Sequence, residues 1–275
     1  MNYKKTTWRV IEHPAGNGAW NMAVDEAILE SVYSGDSLPT LRFYAWNPAC
    51  LSLGHAQPFS DVDMSTVSSN GWMVVRRPTG GRAILHVDEL TYAVIAPETE
   101  PRVSGGVMES YLRLSQALLE SLNLLRLVPQ ALEKSDSNTT NKNNPVCFEV
   151  PSNYEITVNN RKLIGSAQAR RKEGILQHGS LPLYGDLTRI IQALKFQNQI
   201  KENQAKARLL AHATTLEREL GQRIEWTQAC DAFKLGFTKV LNLELLPSKL
   251  TDREKIRAHQ LMKEKYAHPT WTERI

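Results

Sequence analysis

Two consecutive asparagines, Asn159 and Asn160, separate the extended runs NYEITV and RKLIGSAQ. Asparagine tolerates the positive φ of a primed two-residue turn, so this stretch predicts an antiparallel hairpin. It is the place where local chemistry alone dictates a strand pairing. Further extended runs surround it: PTLRFYAW, ACLSLG, GWMVVRR, ELTYAVIA and GILQHGSLPLY, all rich in aromatic or apolar residues. In AWNMAVDEAILESVY, residues Met22, Ala23, Ala27, Ile28 and Val32 fall near one helical face. VMESYLRLSQALLESLNL repeats its apolar positions at helical spacing. From about Asp186 the chain turns helical and charged, through NQAKARLLAHATTLERELG, WTQACDAFKLGFTKVL and TDREKIRAHQLMKEKY. Strands followed by helices predict an α+β fold, one unit over 1–275 with a helical C-terminal part from about 186.

The 275 residues are 41% hydrophobic and 23% charged, ordinary for a globular chain and enough for a packed core. A net charge of +4 suits an acidic macromolecular partner but does not call for nucleic acid. Cys50, Cys147 and Cys230 are odd in number and form no CxxC pair, so neither a disulfide framework nor a zinc knuckle is expected. No His, Asp and Glu cluster has ligand spacing, and no metal is expected. The opening MNYKKTTWRVIEHPAG has no apolar run, and no stretch approaches the roughly 18 apolar residues of a membrane helix. A reducing cytoplasm is the expected location. The polar run QALEKSDSNTTNKNNP reads as a mobile loop leading to Cys147.

The candidate chemistry sits around the hairpin. PVCFEVPSNYEITVNNRKLIGSAQARRK places Cys147 before it and Lys162 after its turn. The turn is expected to fold Lys162 beside Ser152–Tyr154, with a bend at Pro151 bringing Cys147 near. A cation beside a thiol favours the reactive thiolate. Cys147 reads equally as a small buried hydrophobe, and Lys162 as a solvated hairpin charge. In RRPTGGRAILH, Gly80 and Gly81 let backbone approach a ligand, and Arg76, Arg77 and Arg82 suit an anion or a carbonyl. The segment is neither a Walker loop nor a Rossmann fingerprint, and a Gly-Gly hairpin with exposed arginines is the competing reading. His86 and His178 each read as hydrogen-bonded structural residues or as site residues. Ser166 and Ser180 lack a nucleophile elbow, which argues against a serine hydrolase. The basic run Arg161–Lys172 is either a protected strand edge or a docking surface.

VVRRPTGGRAILHVDELTYAVI, RKLIGSAQARRKEGILQHGSLPL and WNMAVDEAI together resemble the biotin/lipoate protein ligase superfamily, and within it the octanoyltransferases of the LipM type. The similarity runs over nearly the whole chain, to YAHPTWTER. It implies a mixed β-sheet flanked by helices and a pocket for a medium-chain acyl group. Arg77, Thr79, Gly80, Gly81, Arg82 and His86 are its implied substrate residues from one segment. Gly165, Ser166, Ala167, Gln168 and His178 are those from the other. In these octanoyltransferases a cysteine in a CF…PS.YE context carries the acyl group, and Cys147 in CFEVPSNYE occupies that place. The family lysine that lowers the thiol pKa corresponds to Lys162.

The resemblance thus implies an acyltransferase that moves an octanoyl group from octanoyl-acyl carrier protein to a lysine of a lipoyl domain. Such domains occur in the glycine cleavage H protein and in the E2 subunits of 2-oxoacid dehydrogenases. No cofactor, nucleic acid or membrane is implied. Two alternatives stand. Lipoate–protein ligases activate a free acid with ATP and Mg, but their motif runs to a third glycine where this chain has Arg82. A non-catalytic acyl or lipoyl-domain binding protein is the other. For deprotonating the target lysine, Lys162 and a neutral His178 are the candidates.

Overall fold

The computed structural model describes residues 3–132 and 155–275. Cys147, Pro151 and Ser152–Tyr154 lie outside the described residues. The hairpin forms as its turn chemistry demands, with Asn159 and Asn160 at φ 50° and 61°. Its arms are β8 (Glu155–Val158) and β9 (Arg161–Arg171). The register corrects one expectation: Val158 pairs with Arg161 and Thr157 with Lys162, so Lys162 does not lie beside Ser152–Tyr154. A two-residue turn returns the chain one residue for one, and Thr157 is the partner this geometry requires. The pairing then steps to Ile156–Ile164. One extra residue, Leu163, is accommodated in β9 as a bulge, a device that re-aims neighbouring side chains.

The other strands are β1 (Thr6–Glu12), β2 (Thr40–Tyr44), β3 (Cys50–Leu53), β4 (Met73–Arg76), β5 (Ile84–His86), β6 (Glu89–Ala96), β7 (Gln130–Leu132), β10 (Gly174–Pro182) and β11 (Leu243–Pro247). An eight-stranded sheet runs β11-β1-β2-β6-β10-β9-β8-β7, and a small sheet runs β4-β3-β5. The large sheet is mixed: β1 is parallel to β11 and β2, and the pairs from β2 onward are antiparallel. Strand β7 occupies the first three residues of the run read as a loop, because its backbone extends the hairpin sheet.

Helices cover both faces. On one, α3 (Val107–Leu124) and α7 (Trp226–Leu241) pack with Leu114, Leu118, Phe233 and Phe237 against Phe43, Tyr92 and Val94 of the sheet. Gly236 permits their close approach: a Cβ there would lie 2.2 Å from Ser121 Oγ. On the other, α1 (Gly18–Tyr33) is buried along most of its length between the sheet and α8 (Asp252–Leu261). Asn17 caps α1, accepting from the Trp20 N–H at 2.9 Å. A third cluster joins the small sheet to α2 (Met64–Ser69), α4 (Arg189–Gln192) and α5 (Gln199–His212).

The C-terminal part is mainly helical but includes β11, which adds an edge to the sheet through β1. The run NQAKARLLAHATTLERELG is also not one helix. It breaks between α5 and α6 (Leu216–Leu220), where the Thr214 N–H donates to the Lys162 carbonyl at 3.0 Å and Ala213 bridges to Lys162. Edge pairing to β9 outweighs helix continuation there. Among the described residues no helix is long and apolar enough to cross a membrane.

Candidate active site

A cavity with about 370 Å³ of empty space opens between α1, the small sheet and strands β9 and β10. Met22, Tyr44, Trp46 and Ile84 give it an apolar wall, and Gly165, Ser166 and Ala167 of β9 give it a backbone wall. Gly179 on β10 faces Ser166, and any Cβ there would lie 2.6 Å from its Oγ. The bare backbone keeps the two strands in contact at the cavity floor. Ser180, 1% exposed, lines the same floor, and its hydroxyl has no hydrogen-bond partner among the described residues.

Two histidines reach the cavity, each set in a chain of hydrogen bonds. His178 Nε2 lies 2.6 Å from Thr79 Oγ1, and its Nδ1 lies 3.5 Å from Asp25 Oδ2. A proton on Nδ1 faces the carboxylate, leaving Nε2 to accept the Thr79 hydroxyl. Burial pushes the imidazole below its ordinary pKa, against the pull of Asp25. Asp25 is itself fully buried, which opposes ionisation, yet Arg42 and His178 hold its carboxyl below the usual range. Arg42 bonds Asp25 at 2.6 Å and also donates to Asn21 Oδ1 at 2.9 Å and His13 Nδ1 at 2.9 Å.

His86 forms the second chain. Its Nε2 lies 2.7 Å from Ser52 Oγ and its Nδ1 2.7 Å from Glu89 Oε1. Glu89 also accepts from Thr91 Oγ1 at 2.5 Å, and Thr91 accepts from Trp46 Nε1 at 2.7 Å. Trp46 stacks on the His86 ring with centroids 4.0 Å apart. Both histidines are thus fixed in orientation, and both face the cavity.

The arginine-rich turn is built otherwise. Arg76, fully buried, donates to the carbonyls of Gly54, His55, Gln57, Trp271 and Thr272. Arg77 donates to the carbonyls of Ser52, Gly80 and Arg82 and to Ser52 Oγ. The competing reading of exposed arginines therefore fails for these two: planar guanidiniums knit the turn to the chain's end and to β3, where five donors meet fixed carbonyls. Gly81 has φ 95°, and its carbonyl lies so close to Gly54 that a Cβ on Gly54 would sit 1.9 Å from it. Gly80 is exposed and Arg82 half-buried.

Lys162 is 3% exposed, so the solvated-charge reading fails. Its Nζ meets Glu155 Oε1 at 2.9 Å across the hairpin. Cys50 and Cys230 are fully buried, as structural residues should be. Burial pushes the Cys50 thiol far up, and the Cys230 thiol up to about 12. Among the described residues no group of His, Cys, Asp and Glu has the arrangement of a metal site.

Of the residues expected at the pocket, Arg77, His86, Gly165, Ser166, Ala167 and His178 line the cavity, and Thr79 touches it through His178. Gln168 is placed elsewhere: its amide bonds Ser110 of α3 and Gln177 on the opposite face of the sheet. Strand alternation separates it from Ala167. Gly80, Gly81 and Arg82 form the turn beside the cavity rather than its lining. Sequence reasoning missed Asp25, Arg42, Ser52, Trp46, Glu89 and Glu155. Asn21 and Asp25, polar and four apart beside the apolar face of α1, were the available signal for the first two.

The sequence and the fold resemble those of known proteins. Residues 17–238 match the model of the lipoyl protein ligase A/B catalytic domain. The chain is 40% identical to an octanoyltransferase LipM of Symbiobacterium thermophilum, over 98% of this chain and 99% of that one. It is 38% identical to an octanoyltransferase LipM of Carboxydothermus hydrogenoformans, over 96% and 98%. In fold it is similar to a bipartite lipoate protein ligase from Thermoplasma acidophilum, with TM-score 0.81, 22% identity and coverage of 97% and 96%. A lipoate–protein ligase A solved with ATP superposes with TM-score 0.78 at 24% identity, over 98% and 99% of the two chains. The chain belongs to the lipoyl protein ligase A/B catalytic domain family.

Proposed function

We propose that this protein is an octanoyltransferase that moves an octanoyl group from octanoyl-acyl carrier protein to a lysine of a lipoyl domain, with Cys147 as the acyl carrier. The observation that carries the reading is the near full-length similarity to octanoyltransferases at 40% identity. The cavity supports it, with an apolar wall of Met22, Tyr44, Trp46 and Ile84 that an acyl chain can lie against. The thioester is attacked by the Cys147 thiolate, and the carrier thiolate leaves. The acyl group then rests on Cys147 as a new thioester. The neutral amine of the target lysine attacks it, forms the amide and expels the Cys147 thiolate. One thioester replaces another in the first step, so no external activation is needed. An ordinary thiol, with pKa about 8.5, is only a few per cent ionised at neutral pH, and the Lys162 ammonium raises that share. Glu155 holds Lys162 in place across the hairpin.

The reaction runs without ATP or metal on this reading. Arg76 and Arg77, two of the three cations that a triphosphate would call on, have guanidinium donors directed at backbone carbonyls. The lipoyl domain is the acceptor, in the reducing cytoplasm where a free thiolate persists. Incubation with octanoyl-acyl carrier protein in ATP-free buffer, followed by intact-mass spectrometry, tests the function. A hydroxylamine-labile octanoyl adduct on Cys147 is the expected result. Acid-dependent pyrophosphate release from ATP and octanoate, without that adduct, would assign ligation instead.

A further inference from the structure

A second cavity, with about 490 Å³ of empty space, adjoins the first. Leu85, Val87, Tyr184, Leu187, Ile190 and Leu209 make it largely apolar. Among the described residues lining either cavity, Ile84 alone belongs to both walls. The two spaces succeed one another along the same strands. Thr91 and Ser180, paired across β6 and β10, line the first cavity, and the pair two residues on, Glu89 and Pro182, lines the second. Residues two apart share one face of a strand, so both cavities lie on the same side of the sheet. Glu89 lines the second cavity alone, and its carboxylate is bonded by His86 and Thr91. The movable, apolar part of the partition is the Ile84 side chain on β5, the edge strand of the small sheet.

We infer that Ile84 sets the acyl-chain length this enzyme accepts, by walling the acyl cavity off from an apolar space that would otherwise continue it. The inference rests on the acyl-transfer reading above. A chain that fits the first cavity ends against Ile84. A longer one has apolar space beyond the partition but no passage into it. Truncating the side chain at Cβ opens the passage. Each further methylene then leaving water improves binding about fourfold, the equivalent of ~0.8 kcal/mol.

The test compares transfer to a lipoyl domain from acyl carrier protein loaded with octanoyl, decanoyl or dodecanoyl chains. The quantity read is the dodecanoyl-to-octanoyl ratio of kcat/KM. Ile84→Ala is expected to raise this ratio at least tenfold, and Ile84→Val by less. Leu85→Ala, which enlarges the second cavity without opening the partition, should keep the wild-type ratio, and thermal melts confirm that each variant is folded. Ratios within twofold of wild type in both Ile84 variants, with octanoyl transfer retained, would overturn the inference and leave the function standing. A rise in Leu85→Ala equal to that in Ile84→Ala would also overturn it. A wild-type protein inert toward all three donors would overturn the function itself and the inference with it.

Discussion

The arginine turn at 76–82 and the hairpin at 155–171 both supply walls to one cavity, yet Arg76 and Arg77 of the first and Lys162 of the second use their charge in opposite ways. Arg76 and Arg77 point planar, multi-donor groups at backbone carbonyls, tying β4 to the 54–57 segment, to β3 and to the chain's end. Lys162 offers a compact point charge to a carboxylate, Glu155, across two strands. A guanidinium in a cage of carbonyls is committed to architecture. An ammonium beside a carboxylate is a charge that a nearby thiolate can share. The arginines of the turn are structural, whereas Lys162 keeps a charge that the proposed chemistry would use.

Five measurements test this contrast. The largest effect is expected on the hairpin side: Cys147→Ala should lower octanoyl transfer about a thousandfold or more, with an unchanged melting profile. Transfer at the wild-type rate would end the covalent scheme.

On the turn side, Arg76→Ala should cost about 3–5 kcal/mol of stability, because buried carbonyls of Gly54, Gln57 and Thr272 lose their donors. Denaturant titration reads the cost. A variant that keeps its stability and loses only transfer would reverse the roles assigned to the two regions.

A pH series separates stability from chemistry. His13 accepts from Arg42, and burial with that neighbouring cation lowers its pKa to about 4. Its folded pKa is depressed, so the unfolded chain takes up the proton first as the solution is acidified. The contribution is therefore complete above about pH 6.5 and fades toward pH 4, by up to about 3 kcal/mol. His13→Gln should flatten that part of the profile in calorimetry. A profile unchanged by the substitution would remove His13 from the account.

Lys162→Gln keeps a hydrogen-bond donor for Glu155 but removes the charge. It should lower transfer about a hundredfold and move iodoacetamide alkylation of Cys147 to higher pH. Superimposable alkylation profiles would assign Lys162 a different task, such as holding the acyl carbonyl.

The smallest effect concerns the turn that carries Lys162. Asn160→Ala should cost about 1 kcal/mol, since φ there is 61°, whereas Asn160→Gly should fall within about 0.5 kcal/mol of wild type.

Elements whose cause is local were legible in the sequence. Asn159-Asn160 dictates its turn because few residues accept positive φ twice, and VMESYLRLSQALLESLNL coincides with α3 because 3.6-residue periodicity is a property of the segment alone. The family resemblance, not local signals, marked the two segments that wall the cavity, including His86 and His178. Only the tertiary structure decided what those residues touch. Asp25 meets His178 across 153 positions of chain, and Arg76 meets Thr272 across 196. It also decided that β11 joins the sheet beside β1, and that residues 213–215 leave the helix to dock on Lys162. Ile84 and Leu85 are neighbours of similar chemistry in sequence, and only one of them stands between two cavities. The physical reason is the same throughout: helix and turn preferences act over a few residues, whereas burial, partnering of buried charge and strand-edge pairing depend on which distant segments share a space.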